Sequence, residues 1–363
     1  MDLAKSVLEG DRLSLARLLT QVENKTTEGS TALDVLFAHT GRAHLIGVTG
    51  APGTGKSSLV NQLALHFRKE GKRVAIVAVD PSSPFTGGAV LGDRVRMKDL
   101  SGDPGVFIRS MASRGSIGGL AQATASMVQV FDAAGYEIIM IETVGAGQSE
   151  VDIAKLAHTT LVVEAPGLGD DIQAIKAGIL EIADIIVVNK ADRPGIESTE
   201  KALKSMLELA HPTQRVFRHH GDLIQTPLSK SGEGDGMMKL ELPIWFPLLQ
   251  RTIAVEGKGI TELAEHIASH KEYLHRSGDW AVREQARLRS ELDAALQSAL
   301  MDQFRDHLSE AHFHQIMDRV FARILSPSEA VKALMNGNAA TPATSKPESH
   351  ESSHSAKKPG RTK

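Results

Sequence analysis

The sequence has 363 residues, a formal net charge of −3 and no cysteine; this length suits one large α/β domain with extensions, and the charge gives no general attraction to nucleic acids or anionic membranes. The lack of cysteine excludes disulfide bonds, thiolate catalysis and cysteine-ligated zinc or iron–sulfur sites. No apolar run reaches the roughly 20 residues that cross a bilayer and no signal segment is expected at the start, so we expect a cytoplasmic protein that binds neither nucleic acid nor membrane.

The first 42 residues are predicted to form a helical extension. Leu15, Leu18 and Leu19 recur at helical spacing, and the pattern continues over 31–37. Asp11 precedes the first repeat and is a candidate N-cap, because its side chain can accept a hydrogen bond from the first turn. We expect this extension to pack on the core without chemistry of its own.

A phosphate-binding loop is the strongest signal in the chain. It follows an apolar strand over 44–48 and precedes leucines at helical spacing, and it fits the pattern G-x-x-x-x-G-K-[ST] at every fixed position. In such a loop, backbone N–H groups approach a polyphosphate, the lysine contacts its β- and γ-phosphates, and the serine hydroxyl holds Mg²⁺. The residues expected to contact the nucleotide here are Gly50, Pro52, Gly53, Thr54, Gly55, Lys56, Ser57 and Ser58.

Further apolar runs predict a mostly parallel sheet, covered by helices on both faces, in a core over 43–270. These runs are 74–79, 138–141, 160–163 and 185–188. Ligands of such sheets bind beyond the carboxyl ends of the strands, so the chemistry is expected where the runs stop. The residues found there are Asp80, Glu142, Glu164 and Asn189.

Glu142 and Gly145 have the spacing of the acid-x-x-Gly element that couples a Mg²⁺ ligand to the γ-phosphate. The carboxylate can hold the metal directly or through water, while the Gly145 N–H can approach the terminal phosphate. The alternative interpretation is an ordinary acid at the end of a strand.

Asn189, Lys190 and Asp192 form an N-K-x-D motif that favours guanine over adenine. The Asp192 carboxylate can accept hydrogen bonds from the N1–H and the N2 amino group of guanine. Adenine lacks this donor pair and would leave a buried acid unpaired. We expect Asn189 to brace the site and the Lys190 stem to cover the ring. GTP and GDP with Mg²⁺ are therefore the predicted ligands.

The chain after the base motif is predicted to be helical over 197–210, and the segment 211–240 is polar and interrupted by proline and glycine, with Thr261 predicted to cap a later helix. Long helices are expected in an arm over 271–335, which Pro327 would close, followed by a disordered tail over 336–363. An apolar stripe in the arm could serve self-association or could pack back on the core. Its members are Leu288, Leu292, Leu296, Leu300, Phe304 and Leu308.

Together, these motifs resemble the MeaB/ArgK-type P-loop GTPases over about 8–330. The resemblance rests on the loop at 48–57, Asp80-Pro-Ser-Ser, the stretch 87–94, Glu142-Thr-Val-Gly-Ala-Gly-Gln-Ser-Glu, and the stretch 171–181. Members of this family are chaperones of adenosylcobalamin-dependent acyl-CoA mutases, usually methylmalonyl-CoA mutase. The resemblance implies a P-loop GTPase core with helical N- and C-terminal extensions. It also implies a homodimer through the arm, and a chaperone that gates cofactor loading and protects or reactivates such a mutase.

Carried onto this sequence, the resemblance implies Mg²⁺ and water ligation around Ser57, Asp80, Asp93 and Glu142. Asp93 and Arg96 would lie in a first switch and 145–150 in a second. A third switch, from Gly167 to Lys176, would contact the mutase and bring Lys176 toward the nucleotide; the alternative is a surface lysine. The implied catalytic residues are Lys56, Asp80, Glu142 and Lys176. Further implied nucleotide contacts are Arg96, Gly145, Asn189, Lys190, Asp192 and Ala254.

Two features depart from the family pattern. The Ser-Ala element that normally cradles guanine O6 appears as Ile253-Ala254, which leaves only backbone contacts there, and the segment 211–240 looks longer than the family norm. No glutamine directly follows Gly145 and no internal arginine finger is evident, so slow intrinsic hydrolysis that the client stimulates is expected. A nickel-type metallocentre assembly GTPase, a transport-related kinase and a non-catalytic nucleotide-gated scaffold are the alternatives.

Overall fold

The structure is a computed structural model that describes residues 2–80, 97–100, 102–112, 119–143, 149–167, 177–210, 214–219, 222–227 and 244–336. In these ranges a seven-stranded sheet has the order β3-β2-β4-β1-β5-β6-β9, and all its strand pairs are parallel. The sheet strands are β1 (His44–Thr49), β2 (Val74–Asp80), β3 (Val106–Ala112), β4 (Ile138–Thr143), β5 (Thr159–Glu164), β6 (Ile185–Val188) and β9 (Leu248–Arg251). An antiparallel hairpin is formed by β7 (Gln214–His219) and β8 (Asp222–Pro227). The predicted α/β fold is confirmed.

Helices precede, connect and follow these strands. Those before the sheet are α1 (Leu3–Leu8), α2 (Arg12–Glu23) and α3 (Thr27–Phe37). Those between its strands are α4 (Lys56–Lys69), α5 (Gly119–Ala133), α6 (Ser149–Leu156), α7 (Ala177–Glu181) and α8 (Ile196–Ala210). Those after it are α9 (Ile260–Ser277), α10 (Asp279–His307), α11 (Glu310–Phe321) and α12 (Pro327–Asn336).

The sheet is buried on both faces because its central strands are apolar on both. β1, β4, β5 and β6 are buried at every position, as expected for parallel strands between helical layers. One face packs against α5, α6 and the N-terminal helices, with Leu18, Leu36 and Phe131 in a shared core. The other face packs against α4 and α9, with Leu63 and Ile267 in a second core.

Two predicted helix boundaries were wrong. α9 begins at Ile260 after Gly259, which has φ 75°, so Thr261 lies inside the first turn and does not cap the helix. Pro327 begins α12 instead of closing the arm, since proline tolerates a first-turn position whose N–H has no helical partner. Ser326 and Glu329 cap this helix reciprocally, with the Ser326 N–H donating to Glu329 Oε2 at 2.9 Å and the Glu329 N–H donating to Ser326 Oγ at 3.2 Å.

The chain forms two compact units, Met1–Ala295 and the part from Leu296 onward. In the second unit, Ile316, Leu325 and Ala330 form a small apolar cluster, whereas Phe321 is 91% exposed. Within the described ranges, none of the helices combines the length and the apolar composition of a membrane span. The domain boundaries near 42, 270 and 335 stay predictions.

One buried carboxylate anchors the segment before β1. Asp132 in α5 accepts backbone hydrogen bonds from Gly41 at 2.6 Å, Arg42 at 3.2 Å and Ala43 at 3.0 Å. This side chain therefore fixes the passage from the N-terminal helices into the strand that precedes the phosphate loop.

Replacing Asp132 with alanine should lower the free energy of unfolding by about 2–4 kcal/mol, because backbone N–H groups around a buried site lose their acceptor. Urea denaturation measures this change. Asp34→Ala on the exposed side of α3 is the matched control and should cost less than about 0.5 kcal/mol. Equal, small losses in both variants would contradict the anchoring role.

Candidate nucleotide site

The phosphate loop is packed so closely that two of its glycines cannot be replaced. Gly50 has φ 138°, and a Cβ there would lie 2.0 Å from the Val163 carbonyl oxygen of β5. Gly55 has φ 93°, and a Cβ there would lie 2.5 Å from Asn189 Nδ2. Both glycines adopt a left-handed conformation that side chains disfavour. The loop can therefore approach both the neighbouring strand and the base motif.

Lys56 and Ser57 open α4 at the end of this loop. The Lys56 ammonium is buried and donates to the carbonyl oxygens of Gly50 at 2.8 Å and Ala51 at 2.9 Å. These bonds hold the charge beneath the loop, where it can reach the phosphates of a bound nucleotide. Pro52 and Gly53 lie exposed in the loop, and Ser58 is half-buried in α4.

Ser57 and Glu142 bring two oxygen ligands together from different elements. The Ser57 hydroxyl donates to Glu142 Oε1 at 2.6 Å, and both side chains are buried. A hydroxyl and a carboxylate at the phosphate end of a helix are ligands that suit Mg²⁺, so these residues fit the predicted metal site. Asp80 ends β2 beside β4. Its side chain, and the predicted site residues Asp93, Arg96, Gly145 and Lys176, lie outside what the structure describes.

The Asn189 side chain links the base motif to two other segments. Its Nδ2 donates to the Thr54 carbonyl oxygen at 2.8 Å. Its Oδ1 accepts from Thr252 Oγ1 at 3.1 Å and from the Ala254 N–H at 3.0 Å. The amide therefore fixes the phosphate loop relative to the turn after β9, as a brace would.

Lys190 and Asp192 lie at the outer side of the same motif. Lys190 has φ 57°, and its ammonium donates to the Gly53 carbonyl oxygen at 2.5 Å, so its stem extends toward the phosphate loop. Asp192 is exposed, which leaves its carboxylate accessible to a base. The pKa of Lys258 is raised mainly by its ion pair with Glu256 and to a smaller degree by Asp192.

Sequence reasoning missed two groups of buried hydroxyls. Thr252 is 63 residues from its partner Asn189, so no local pattern could reveal it. Thr143 Oγ1 donates to Thr49 Oγ1 at 3.0 Å, joining the end of β4 to the residue before the phosphate loop. The Thr49–Thr143 pair could have been found from the strand pairing, because β1 and β4 are parallel and Val48 and Glu142, the residues before these threonines, lie opposite each other.

Comparison with known proteins assigns the chain to one family. The family model described as methylmalonyl Co-A mutase-associated GTPase MeaB matches residues 15–309. The chain belongs to the MeaB family. It is therefore a GTPase and binds guanine nucleotides, and the resemblance identified in the sequence is confirmed.

Relatives of this MeaB-family GTPase match over most of their length. A Pyrococcus abyssi protein named as a GTPase is 41% identical over 92% of this chain and 95% of its own. GTPase ArgK of Escherichia coli is 31% identical over 90% and 92%, respectively. The mitochondrial methylmalonic aciduria type A homolog of Caenorhabditis elegans is 29% identical over 85% and 75%. A crystal structure described as LAO/AO transport system kinase has 26% identity, covers 92% of this chain and 96% of its own, and gives a TM-score of 0.61.

Replacing Thr252 with valine should weaken GTP and GDP binding about tenfold, because the Asn189 amide loses a buried donor and is less firmly oriented. Thr252→Ser keeps the hydroxyl and should restore most of the affinity. Titration with a fluorescent guanine nucleotide measures both variants. Valine and serine variants of equal affinity would show that the hydroxyl has no positioning role.

Proposed function

We propose that this GTPase is a chaperone of an adenosylcobalamin-dependent acyl-CoA mutase, methylmalonyl-CoA mutase or a close relative. It would gate cofactor loading and protect or reactivate the mutase. The proposal rests on the family match over residues 15–309, whose description names this mutase. The Caenorhabditis elegans relative, named for methylmalonic aciduria, adds support. The GTPase itself need not contact cobalamin.

In the proposed reaction, water attacks the γ-phosphorus and the bond to the β–γ bridging oxygen breaks, which yields GDP and phosphate. Lys56 would stabilise the charge that develops on the phosphate oxygens. Mg²⁺, when bound, would neutralise further charge there, with Ser57 and Glu142 holding it and Asp80 and Asp93 as additional ligands. The buried Ser57–Glu142 contact supports this assignment.

The client would act through the segments that contact the phosphates. In this proposal Arg96 belongs to a first switch, Gly145 to a second, and Lys176 to a third that contacts the mutase. A low intrinsic rate would rise when the mutase rearranges these segments, by up to orders of magnitude. Binding and hydrolysis of GTP would then be coupled to the state of the mutase.

A homodimer through the helical arm is part of the proposal. Leu292, Leu296 and Leu300 recur every fourth residue along α10 and are 68%, 54% and 57% exposed. Large apolar side chains repeated along one helical stripe are typical of helices that pair with a second copy. Their exposure in the single chain supports the choice of self-association.

A transport-related kinase is the second candidate, because the similar crystal structure is described as a transport system kinase. The two activities differ in the final acceptor of the γ-phosphate, which is water for the chaperone and a protein side chain for the kinase. Following labelled γ-phosphate therefore separates them directly.

Asp192→Asn should lower GTP affinity by about a hundredfold or more and should favour xanthosine triphosphate, because an amide N–H faces the guanine N1–H donor but suits the xanthine carbonyl. Isothermal calorimetry with both nucleotides measures the selectivity. Asp34→Asn, an exposed aspartate in α3, is the control and should bind GTP normally. Unchanged selectivity of the Asp192 variant would refute the base assignment.

Purified methylmalonyl-CoA mutase should raise the rate of GTP hydrolysis about tenfold or more, with label from γ-labelled GTP released as inorganic phosphate. Lys56→Ala should abolish basal and stimulated hydrolysis, whereas Lys69→Ala, at the exposed end of the same helix, should retain both. Phosphate release over time is the measurement.

Each contrary result has a distinct meaning. A mutase that changes neither the rate nor the GTP affinity would contradict the chaperone proposal. Label transferred to protein would favour the kinase. Normal turnover by the Lys56 variant would exclude the proposed phosphate chemistry.

A further inference from the structure

Three buried histidines meet at the amino-terminal edge of the sheet, where its parallel strands begin, opposite the nucleotide site. His44 is the first residue of β1, His158 directly precedes β5, and His270 lies in α9; they are 2%, 2% and 0% exposed. We call these residues the histidine cluster. Buried titratable groups require specific partners, since an unsatisfied polar atom in the interior is costly.

The hydrogen bonds of His158 define its protonation state. Its Nδ1 accepts from the Leu45 N–H at 3.1 Å, so that nitrogen carries no proton. Its Nε2 lies 2.5 Å from Glu284 Oε1 in α10 and therefore donates to this carboxylate. The imidazole is neutral and held in one tautomer by groups on both sides.

The first turns of α10 are held by this edge of the sheet. Arg283 donates to both oxygens of Asp184, at 2.8 and 2.9 Å, and to the His158 carbonyl oxygen at 2.7 Å. Trp280 stacks between His158 and His275, with ring centroids 3.8 and 4.3 Å away. The imidazole of His158 is thus in contact with both a charged and an aromatic group of α10.

The other two histidines are connected through one hydroxyl. Thr159 Oγ1 lies 2.8 Å from His44 Nε2 and 2.9 Å from His270 Nδ1. His270 Nε2 lies 3.3 Å from Asp184 Oδ1, the carboxylate that also binds Arg283. Asp184 is therefore a common acidic partner of the histidine cluster and of the start of α10.

We propose that the histidine cluster is a proton-operated latch that holds the first turns of α10 on the amino-terminal edge of the sheet. A proton added to His158 Nδ1 would point at the Leu45 N–H, placing two donors against each other. The ring must then move, and it loses its contacts with Glu284 and Trp280. Protonation at this one atom therefore opposes the docking of α10.

The charges around His158 favour the neutral ring. Burial lowers its pKa, and Arg287 and Arg283 add to this effect, while the hydrogen bond that the ring donates to Glu284 raises the pKa without reversing the direction. Burial also holds the pKa of His44 well below its usual value. The remaining ionisable groups that face the two rings from α9 are His270, Lys271 and His275.

The acids of the latch stay ionised as the pH falls. Burial raises the pKa of Asp184, but hydrogen bonds from His270 and Arg283 outweigh it and bring the value to about 2. Burial likewise raises the pKa of Glu284, but hydrogen bonds from His158 and Arg287 bring that pKa to about 2. Neither carboxylate therefore changes its charge between pH 8 and pH 5.

The direction of the pH effect follows from proton binding. A released histidine binds a proton near its ordinary pKa of about 6.5, whereas the docked His158 does so only at lower pH. Docking is therefore strongest above about pH 6.5 and weakens as the pH falls from there toward the lowered pKa.

Trp280 provides a direct report on the latch. The chain has two tryptophans, so in a Trp245→Phe background all tryptophan fluorescence comes from Trp280. Between pH 8 and pH 5 its emission should move to longer wavelength as the ring leaves the imidazoles. Amide exchange over 279–291, corrected for intrinsic pH dependence, should rise about tenfold or more, while β1 and β4 keep their protection.

Two variants test whether His158 operates the latch. His158→Gln can accept from Leu45 and donate to Glu284 but cannot titrate, so it should lose the transition. Glu284→Gln removes the charge that favours protonation of the docked ring and weakens its contact with α10, so the midpoint should move to higher pH. His66→Gln is the control, because His66 forms a surface pair with Glu70 at 3.1 Å, and it should leave the transition unchanged.

The proposal fails if no transition occurs, if it is unchanged in His158→Gln, or if β1 and β4 lose protection together with α10. An unshifted midpoint in Glu284→Gln would also overturn it, and this variant decides the matter should His158→Gln not fold. None of these measurements depends on a client protein or on hydrolysis, so their failure would leave the proposed chaperone function untouched.

Discussion

The buried amide of Asn189 is the contact on which the nucleotide site depends. It binds the phosphate loop through Thr54 and the turn after β9 through Thr252 and Ala254. Losing a partner inside the protein would cost about 1–3 kcal/mol, so the three segments are held in one arrangement. The same side chain explains Gly55, because any Cβ there would collide with the amide. Two motifs that are far apart in sequence thus constrain each other through one packing contact.

The strands that end at the nucleotide site begin at a second group of buried polar side chains, the histidine cluster. β1 and β5 begin at the histidine cluster and end at the phosphate loop and Glu164, while β6 begins after Asp184 and ends just before Asn189. Each strand therefore has a polar anchor at both ends and an apolar middle. The anchors at the amino-terminal edge involve α9 and α10, which follow the last strand, so the end of the GTPase core is tied to the strands that carry its chemistry.

The sequence predicted the parts of this fold that rely on local pattern. The long apolar runs identified β1, β2, β4, β5 and β6, and the glycine spacing identified the phosphate loop. β3 was missed because this edge strand contains Arg109, which pairs with Glu23 of the N-terminal helices, and so lacks a continuous apolar run. β9 was missed because it is short and only partly buried.

The partners of buried polar groups were beyond sequence reasoning for a different reason. His158 and Glu284 are 126 residues apart, and Asn189 and Thr252 are 63 apart. Periodicity reports which side chains face the interior, but it does not report which polar atoms meet there. The motifs therefore predicted residues that would contact the nucleotide, whereas the residues that hold those groups in place required the fold.

The residues that position the site and the residue proposed to contact the base differ in their burial. Asn189 and Thr252 are buried and already bonded to protein, so in the proposed site they would set the position of the nucleotide without distinguishing one base from another. Asp192 is exposed, and in water its carboxylate is well solvated. A base that covers it must replace that solvation: guanine does so with two donors, while adenine cannot. In the proposed site, base selectivity would therefore arise when the base desolvates Asp192, and the buried amide would direct the base to that carboxylate.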